Sequence, residues 1–282
     1  MTDTPIQLML SDVDGTLVDS DKRLTPATVD AVRRLREAGV VFAVTSGRPP
    51  RGMSMLVEPL GLTTPLSGFN GGMIVDPTMH PIEELSLPGD LVGPIIESLR
   101  ASSMSVWAFQ GSRWLVPALD APHVAKEVRA VQYDPEVVPD LDGLVADAAS
   151  GSASVTKLVG VSDDHDAVQR AEAELRDRFG DRVAASRSQT YYLDVTNPDA
   201  NKGSVARYLA TQLGIPTEAV ATIGDMPNDV LMFAQSGLSI AMGNAAPDVQ
   251  RTARRVTSTN DEDGFARAVD EFVLPTLPQH PG

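Results

Sequence analysis

The sequence predicts an α/β protein: a doubly wound, mostly parallel Rossmann-like sheet with an α+β domain inserted into it. Strand and helix patterns alternate at the start of the chain, the same alternation returns in its last third, and the stretch between them mixes short strands with helices. The 282 residues are enough for two domains, and a hydrophobic content of 42% is enough for packed cores.

The first part of the chain reads as strand, turn, helix and strand. An apolar run at residues 6–10 ends in a polar turn that contains glycine, which is typical of a buried parallel strand. Thr25 and Pro26 supply an N-cap and a first helical residue, and Gly39 marks the end of that helix. A β-branched run at residues 40–44 predicts the next strand.

The last third repeats this order, whereas the middle of the chain differs from it. Residues 1–85 and 191–282 are therefore predicted to form one α/β domain, with residues 86–190 as the α+β insert. Within the insert, the stretch 143–154 is rich in Ala, Gly and Ser and predicts a surface loop. The proline-containing residues 274–282 predict a loose tail.

Charge and cysteine content exclude several kinds of function. A net charge of −15 and a pI of about 4.6 disfavour binding to nucleic acid or to an anionic membrane surface. The chain has no cysteine, so it has no disulfide, no thiolate metal site and no cysteine nucleophile. No apolar run is long enough to span a bilayer, and the first residues lack a secretory signal, so a cytoplasmic protein is expected. The oligomeric state stays open.

Two carboxylates follow the first predicted strand, in the segment Asp12-Val13-Asp14-Gly15-Thr16. Residues two apart on an extended backbone point to the same side, and two such carboxylates repel each other unless a cation lies between them. A hard, oxygen-seeking ion such as Mg²⁺ fits that requirement. Taken alone, the segment is equally compatible with an acidic loop or a weak calcium site.

Two further segments indicate an anion site. In Thr45-Ser46-Gly47-Arg48, a hydroxyl and the backbone N–H groups of a glycine-containing turn can hold phosphate oxygens. In Asn201-Lys202-Gly203, the lysine opens a helix, where a bound anion would offset the cost of a cation at the positive end of the helix dipole. Alone, the first segment could be a simple turn and the second a surface lysine.

The fourth segment is Gly224-Asp225-Met226-Pro227-Asn228-Asp229, between a predicted strand and a predicted helix. Asp225 could complete a magnesium site begun by the two carboxylates of the first segment. Asn228 or Asp229 would then serve as a further ligand or support the ligands. All four segments lie at carboxyl ends of predicted parallel strands, where open α/β sheets place their functional sites.

In this order, the four segments resemble the motifs of haloacid-dehalogenase-superfamily phosphatases of the Cof type (type IIB). The likeness covers nearly the whole chain, and three more segments are similar to family segments: Asn70-Gly71-Gly72, Gly243-Asn244-Ala245 and residues 260–264. The resemblance implies that residues 1–85 and 191–282 form the catalytic core. It also implies that residues 86–190 are a cap that closes over the site and reads the leaving group.

The resemblance implies the role of each motif residue. Asp12 is the nucleophile that forms an aspartyl-phosphate, and Asp14 is the general acid and then the general base. Mg²⁺ is held by Asp12, by Asp14 through its backbone carbonyl, and by Asp225. The phosphate-binding residues that it implies are Ser46, Gly47, Asn70 and Lys202.

Two details bear on these assignments. The family has a small or hydroxyl residue before its motif lysine, whereas this chain has Asn201 before Lys202. On the cap, Arg187 is expected to clasp a second anionic group of the substrate. The histidines are scattered without metal-ligand spacing and are assigned no role: His80, His123, His165 and His280.

The predicted function is that of a Mg²⁺-dependent phosphatase acting on a small phosphorylated metabolite, such as a sugar phosphate. One alternative is a phosphotransferase or mutase of the same superfamily. Mutases of this type usually carry a small helical cap after the first motif, whereas residues 17–45 read as one helix and one strand. The other alternative is a catalytically silent protein that binds a phosphorylated metabolite. The sequence does not name the substrate.

Overall fold

The computed structural model describes residues 4–278, which contain fourteen strands and ten α-helices. The strands are β1 (Leu8–Asp12), β2 (Val41–Thr45), β3 (Leu66–Gly68), β4 (Met73–Val75), β5 (Pro81–Glu84), β6 (Ser105–Gln110), β7 (Arg113–Val116), β8 (Glu136–Val137), β9 (Lys157–Val161), β10 (Ala184–Gln189), β11 (Tyr192–Thr196), β12 (Val220–Gly224), β13 (Leu238–Ala241) and β14 (Arg255–Val256). The helices are α1 (Pro26–Glu37), α2 (Val57–Leu60), α3 (Gly89–Ala101), α4 (Val124–Val131), α5 (Asp142–Ser150), α6 (His165–Phe179), α7 (Lys202–Leu213), α8 (Val230–Phe233), α9 (Pro247–Gln250) and α10 (Gly264–Ala268).

The first sheet has eight strands in the order β14-β13-β12-β1-β2-β3-β4-β5. Pairing is parallel from β14 to β3 and antiparallel from β3 to β5. Every residue of the central strands β1 and β12 is buried, because helices cover both faces of the sheet. Met9 packs with α1 and α10 on one face, and Leu10 packs with α7 and α8 on the other.

The second sheet has six strands in the order β10-β11-β9-β6-β7-β8 and belongs to the inserted domain, called the cap below. Its strands pair antiparallel except for β7 with β8. One face packs on α3, α5 and α6. The opposite face carries Trp107 and Tyr192, which share an apolar cluster with Met53 and Leu56 of the core. The cap sheet is therefore covered by helices on one side and lies against the core on the other.

The predicted boundary between cap and core at residues 190/191 differs from the structure. Strand β11 pairs with β9 and β10, so the cap extends through Thr196, and the core resumes at α7. At the other end of the insert, Leu87 already packs in the helix-covered cluster of the cap. A local pattern identifies residues 192–196 as a strand, but the choice of sheet depends on long-range pairing.

The surface loop predicted at residues 143–154 is wrong, because most of that stretch is helix α5. Ala148 is buried against α3, and the two helices approach closely at Gly89, where a Cβ would stand 2.1 Å from the Ala148 carbonyl oxygen. Gly151, with φ +78°, ends the helix in a left-handed conformation that suits glycine. Packing between the two helices thus makes this segment helical, although its composition resembles that of a loop.

The start of α1 agrees with the prediction. Thr25 caps α1, with its hydroxyl accepting a hydrogen bond from the Thr28 N–H at 3.2 Å. In the predicted tail, Leu274–Thr276 form a 3₁₀ turn, and the Thr276 hydroxyl accepts a hydrogen bond from the Ile6 N–H at 3.1 Å. The rest of that tail, residues 279–282, lies outside the described residues. His280 lies outside the described residues. Among the helices of residues 4–278, none combines the length and apolar character needed to cross a membrane.

Truncating the buried Leu158 to alanine is expected to destabilise the cap. Leu158 is fully buried in β9, so Leu158→Ala should lower the free energy of unfolding by about 2–5 kcal/mol. Amide hydrogen exchange should accelerate more in the cap sheet than in the core sheet. The control is Leu119→Ala, at a leucine that is 59% exposed and should change stability by less than about 0.5 kcal/mol. Equal losses in the two variants would contradict the packing described for the cap.

Candidate active site

Four neighbouring strands of the core sheet deliver polar residues to one edge. In the spatial order β12, β1, β2 and β3, their carboxyl ends lead to Asp225, Asp12, Ser46 and Asn70. Because adjacent parallel strands end on the same side of a sheet, the residues that follow them lie together. The sequence motifs are therefore neighbours in space, although up to 213 positions separate them along the chain (225 − 12 = 213).

Lys202 lies at the centre of this edge with only 1% of its surface exposed. It is the first residue of α7, and Asn201 caps the helix by accepting a hydrogen bond from the Ser204 N–H at 2.9 Å. The Nζ atom donates to Asp12 Oδ1 at 2.5 Å and to Asp229 Oδ1 at 2.6 Å. The two carboxylates raise the pKa of Lys202 against the opposing effect of its burial, so the lysine stays charged.

Asp225 lies on the other side of the first motif. Its Oδ1 accepts a hydrogen bond from the Thr16 hydroxyl at 3.2 Å, and its Oδ2 accepts one from the Asn244 side-chain amide at 3.2 Å. Gly15 permits this approach, because it has φ +81° and a Cβ there would stand 2.4 Å from Asp225 Oδ2. Asn244 also donates to the Gly15 carbonyl oxygen at 2.9 Å and so fixes the turn to the carboxylate.

Three buried carboxylates, those of Asp12, Asp225 and Asp229, meet at this point. One oxygen from each lies within 4.8 Å of the others, so the group could hold a metal ion. Burial and the nearby Asp229 and Asp225 carboxylates raise the pKa of Asp12 against the opposing Lys202 charge. Burial and Asp229 likewise raise the pKa of Asp225 to about 6. With Lys202 the only cation among these groups in residues 4–278, the cluster has two negative charges in excess when ionised, which a divalent cation would balance.

Asp229 is better suited to support than to ligation. Its Oδ2 accepts hydrogen bonds from the backbone N–H groups of Asp225 and Met226 at 2.9 and 2.8 Å, while Oδ1 is bound to Lys202. Both oxygens are therefore engaged within the protein, and they fix the turn that carries Asp225. Gly224 makes room for this carboxylate, since a Cβ there would lie 2.3 Å from Asp229 Cγ.

The Asp14 side chain points away from that cluster and into a pair of cations. Arg48 donates from Nε and Nη2 to its two oxygens at 2.6 and 2.7 Å, and Lys22 lies 2.7 Å away. Burial would raise the pKa of Asp14, but the hydrogen bonds and charges of Arg48 and Lys22 outweigh it and lower the pKa to about 2. Asp14 is therefore a carboxylate in this arrangement.

Ser46 and Asn70 lie beside each other at the ends of β2 and β3. The Ser46 hydroxyl accepts a hydrogen bond from the Arg48 N–H at 3.1 Å and keeps its own proton free to donate. Asn70 has φ +56° and is held by a hydrogen bond from its N–H to the Ser46 carbonyl at 2.8 Å. A Cβ on Gly47 would lie 3.5 Å from the Asn70 amide, and Asn228 donates to Asn70 Oδ1 at 3.0 Å.

The structure thus brings together nine of the ten residues that the sequence predicted for the site: Asp12, Asp14, Ser46, Gly47, Asn70, Lys202, Asp225, Asn228 and Asp229. The exception is Arg187, whose Nε donates to Glu172 Oε2 at 2.8 Å. Glu172 lies on α6, so Arg187 is on the helix-covered face of the cap, away from the core. Residue alternation along β10 places Arg187 on that face, so the structure does not bring it to the other predicted site residues.

Three contacts of the site were missed from the sequence: Lys22 and Arg48 on Asp14, and Asn244 on Asp225. A role for Arg48 in the site could have been predicted, because it lies two residues after Ser46 in the same motif turn. Asn244 lies in a segment that resembles the family, but its partner is nineteen residues away in the chain. Lys22 carries no sequence signal that separates it from other surface lysines.

The comparisons with known proteins agree with this architecture. The profile of haloacid dehalogenase-like hydrolases matches residues 9–269, so the chain belongs to that family. The chain is 25% identical over 284 residues to 5-amino-6-(5-phospho-D-ribitylamino)uracil phosphatase YitU of Bacillus subtilis, covering 96% of this chain and 98% of the relative. A crystal structure of a haloacid dehalogenase-like hydrolase from Bacteroides thetaiotaomicron superimposes with a TM-score of 0.82 at 28% identity, over 94% and 98% of the two chains.

A further solved structure has the same fold. The haloacid dehalogenase subclass IIB sugar phosphatase BT4131 shares the fold with a TM-score of 0.79 at 21% identity, over 94% of this chain and 98% of the other. The predicted fold class and superfamily are confirmed. So is the predicted enzyme class, a phosphatase of the haloacid dehalogenase type.

Metal binding is expected to reverse a pH-dependent instability. The pKa of Asp225 is raised from 3.8 to about 6, and that of Asp12 is raised as well, so the folded protein binds more protons than the unfolded chain through that window. The free energy of unfolding of the metal-free protein should therefore fall as pH rises through that window. Mg²⁺ at a hundredfold excess over its Kd should restore about 2.7 kcal/mol, or roughly 5–10 °C in melting temperature, at pH about 7.5 and less at pH about 5.

Thermal melts of Asp225→Asn and Asp21→Asn test the location of this effect. Asp225→Asn should lose the Mg²⁺-dependent rise, because it removes a carboxylate from the cluster. Asp21→Asn should keep the rise, because Asp21 is an exposed residue paired with Arg23. An unchanged Mg²⁺ effect in Asp225→Asn would show that the ion binds elsewhere.

Proposed function

We propose that the chain is a Mg²⁺-dependent phosphomonoesterase that hydrolyses a small phosphorylated metabolite through an aspartyl-phosphate on Asp12. The observation that carries the proposal is the buried contact of Asp12 with Lys202 at the end of the central strand, with Asp225 beside it. A carboxylate can attack phosphorus only if the charges of both are balanced, and this arrangement supplies a lysine and a place for a divalent cation.

In the first step, an Asp12 carboxylate oxygen forms a bond to phosphorus while the bond from phosphorus to the leaving oxygen breaks. Asp14 gives its proton to that oxygen, and the alcohol departs. In the second step, Asp14 takes a proton from water, the water oxygen attacks phosphorus, and the bond to Asp12 breaks to regenerate the carboxylate. Inorganic phosphate is the second product.

The transferring group would be held by residues that still have donors to offer. Lys202 Nζ has three donor positions and uses two of them on Asp12 and Asp229, so one remains for a phosphate oxygen. The Ser46 hydroxyl and the turn at Gly47 lie at the same edge, with the Asn70 amide beside them. Donors aimed at the equatorial oxygens stabilise the charge of the transition state.

The residues that would hold Mg²⁺ are Asp12, Asp225 and the backbone carbonyl of Asp14. When bound, the ion would neutralise charge between the nucleophile and the phosphoryl group. Asp229 would keep Asp225 and Lys202 in position through its three hydrogen bonds. Asn228 would orient the Asn70 amide that it contacts.

Asp14 must change its pairing during turnover. With Arg48 and Lys22 in place, the pKa of Asp14 is held at about 2. Asp14 is then ionised, so it cannot act as the acid of the first step, and it is only a weak base for the second. To acquire a proton it must lose those partners. Arg48 also donates from Nη1 to the Ala130 carbonyl of the cap at 2.9 Å. Movement of the cap would therefore alter the hold of Arg48 on Asp14.

The comparisons favour hydrolysis of a small phosphate ester. The relative YitU is named for a phosphorylated ribityl compound, and the fold neighbour BT4131 is named as a sugar phosphatase. A mutase is less well supported. Between Thr16 and Ser46 the described chain forms α1 and β2, which belong to the core, and it has no inserted helical cap there.

Replacing the nucleophile is the direct test. Asp12→Asn should reduce Mg²⁺-dependent phosphate release by at least roughly a thousandfold, because an amide cannot form the phosphoryl ester. Release is measured on a panel of phosphorylated sugars, pentitols and p-nitrophenyl phosphate, with Asp21→Asn as the matched control that keeps full activity. Full activity of Asp12→Asn would refute the covalent route. Inactivity of folded wild-type protein on the whole panel would refute the hydrolase proposal and favour a silent binder or a mutase.

The location of Arg187 on the helix-covered face of the cap leads to a separate prediction. Arg187→Ala should leave kcat/KM within about twofold of wild type on every substrate of the panel, because its side chain pairs with Glu172 on the far face of the cap. A selective loss on substrates with two anionic groups would restore the original assignment.

A further inference from the structure

The face of the cap sheet that lies against the core carries a buried ion pair that the mechanism above does not use. Lys157 Nζ lies 2.6 Å from Asp194 Oδ2, and the two side chains are 9% and 5% exposed. Lys157 is on β9 and Asp194 on the adjacent β11, and both share a face with Trp107 and Tyr192. A charged pair in such a place costs desolvation, so its presence calls for a reason beyond packing.

This pair lies close to the catalytic residues. Lys157 Nζ is 5.9 Å from the ring centroid of Phe69, the residue that precedes Asn70. Glu127 of α4 is next to the same face of the cap sheet, because its carboxyl accepts a hydrogen bond from the Tyr192 hydroxyl at 3.4 Å. The Lys157 and Asp194 charges act on Glu127 from the cap, and those of Asp14 and Arg48 act on it from the core. Glu127 is therefore close both to the Lys157–Asp194 pair and to Asp14, the candidate acid and base.

Some hydrogen-bonding capacity on this face is unused. Within residues 4–278, Asp194 Oδ1 and Trp107 Nε1 are buried and have no hydrogen-bond partner. Their residues are 4% and 1% exposed. Buried polar atoms are nearly always paired, because an unpaired one loses the hydrogen bonds it would make in water. One acceptor and one donor are thus available to a group that enters between cap and core.

The charges of these side chains determine which chemical groups of a substrate would fit between cap and core. One lysine faces two carboxyl groups, those of Asp194 and Glu127, so no positive charge is left over. Arg48 is paired with Asp14, a carboxylate that it shares with Lys22. Hydroxyl groups can donate to the carboxylates and accept from Lys157 or Trp107, and protonated amines can donate to the carboxylates. A second phosphate or carboxylate would be repelled by them. The rings of Trp107 and Tyr192 add apolar surface of the kind that covers a sugar or a planar ring.

We propose that Lys157, Asp194, Glu127 and Tyr192 form the subsite for the leaving group, and that they select phosphate monoesters of uncharged or cationic alcohols bearing hydroxyl or amine groups. The inference rests on the proposed function and narrows its substrate class. It replaces Arg187, on the opposite face of the cap, as the source of specificity. It also excludes bisphosphates as preferred substrates.

The test compares specificity ratios in Asp194→Asn and Glu127→Gln. Substrates are a hexose monophosphate, a pentitol monophosphate, the matching bisphosphates and p-nitrophenyl phosphate. Wild type should prefer monophosphates over bisphosphates. In each variant kcat/KM should fall about tenfold further for the two polyol monophosphates than for p-nitrophenyl phosphate, since hydrogen bonds to polar substrate groups are lost. The ratio of bisphosphate to monophosphate activity should rise by about tenfold, since one negative charge is removed.

Glu172→Gln is the matched control. Glu172 is also a largely buried cap carboxylate in ion pairs, with Arg176 and Arg187, but it lies on the helix-covered face. The specificity ratios of Glu172→Gln should equal those of wild type. Equal losses on all substrates in Asp194→Asn and Glu127→Gln would show a structural role only and overturn the proposal. The same shift in Glu172→Gln would also overturn it.

Two further measurements keep the proposal testable. If Asp194→Asn fails to fold, as judged by its melting curve, the partly buried Glu127→Gln decides the question by itself. If the wild type hydrolyses none of these compounds, the hydrolase proposal fails, and the subsite is tested by calorimetric titration with the same monophosphates and with inorganic phosphate. Tighter binding of a polyol monophosphate than of inorganic phosphate, weakened about tenfold in Glu127→Gln, would support the subsite. Equal affinities, or no effect of the variant, would overturn it.

Discussion

The contact of Lys202 with Asp12 and Asp229 is the interaction on which the rest of the site depends. It joins the end of β1, the start of α7 and the turn after β12 through one buried ammonium group. Without the lysine, three carboxylates would face each other in a region closed to water, at a high electrostatic cost. Asp229 transmits the constraint further by holding two backbone N–H groups of the turn that carries Asp225. Lys202 and Asp229 therefore both hold the site residues in position, and Lys202 also balances part of the charge of the carboxylate cluster.

A second constraint links the core to the cap. Arg48 pairs with Asp14 through two nitrogens and donates its third to Ala130 of the cap. The ionisation of Asp14 and the position of the cap are thus tied to one guanidinium group. An enzyme that needs Asp14 first as an acid and then as a base could use such a link, because closing or opening the cap changes which groups surround the carboxyl.

The two faces of the cap sheet have different roles, because successive side chains of a strand alternate between them. Side chains such as Leu158 and Arg187 face the helices, where apolar packing and the Arg187 pair with Glu172 hold the cap together. Side chains such as Lys157 and Asp194 face the core, where polar atoms remain available. A shift of one residue in the register of β9 or β11 would exchange these roles, so register carries specificity as well as stability.

The sequence by itself determined the α/β class, the superfamily, and the order of the strand-end motifs, because these depend on local patterns and on short spacings such as that of Asp12 and Asp14. Parallel strand pairing then brought the motifs of Asp12, Ser46 and Asp225 to one edge, as expected. The Lys202 motif differs from the prediction, because it follows the antiparallel cap strand β11 and reaches this edge at the start of α7. Only the tertiary structure decided the sheet to which residues 192–196 belong, the helical state of residues 142–150 and the face on which Arg187 lies. It also decided the partners of Asp14 and the burial of Lys157. These depend on contacts between residues far apart in the chain, which no local pattern records.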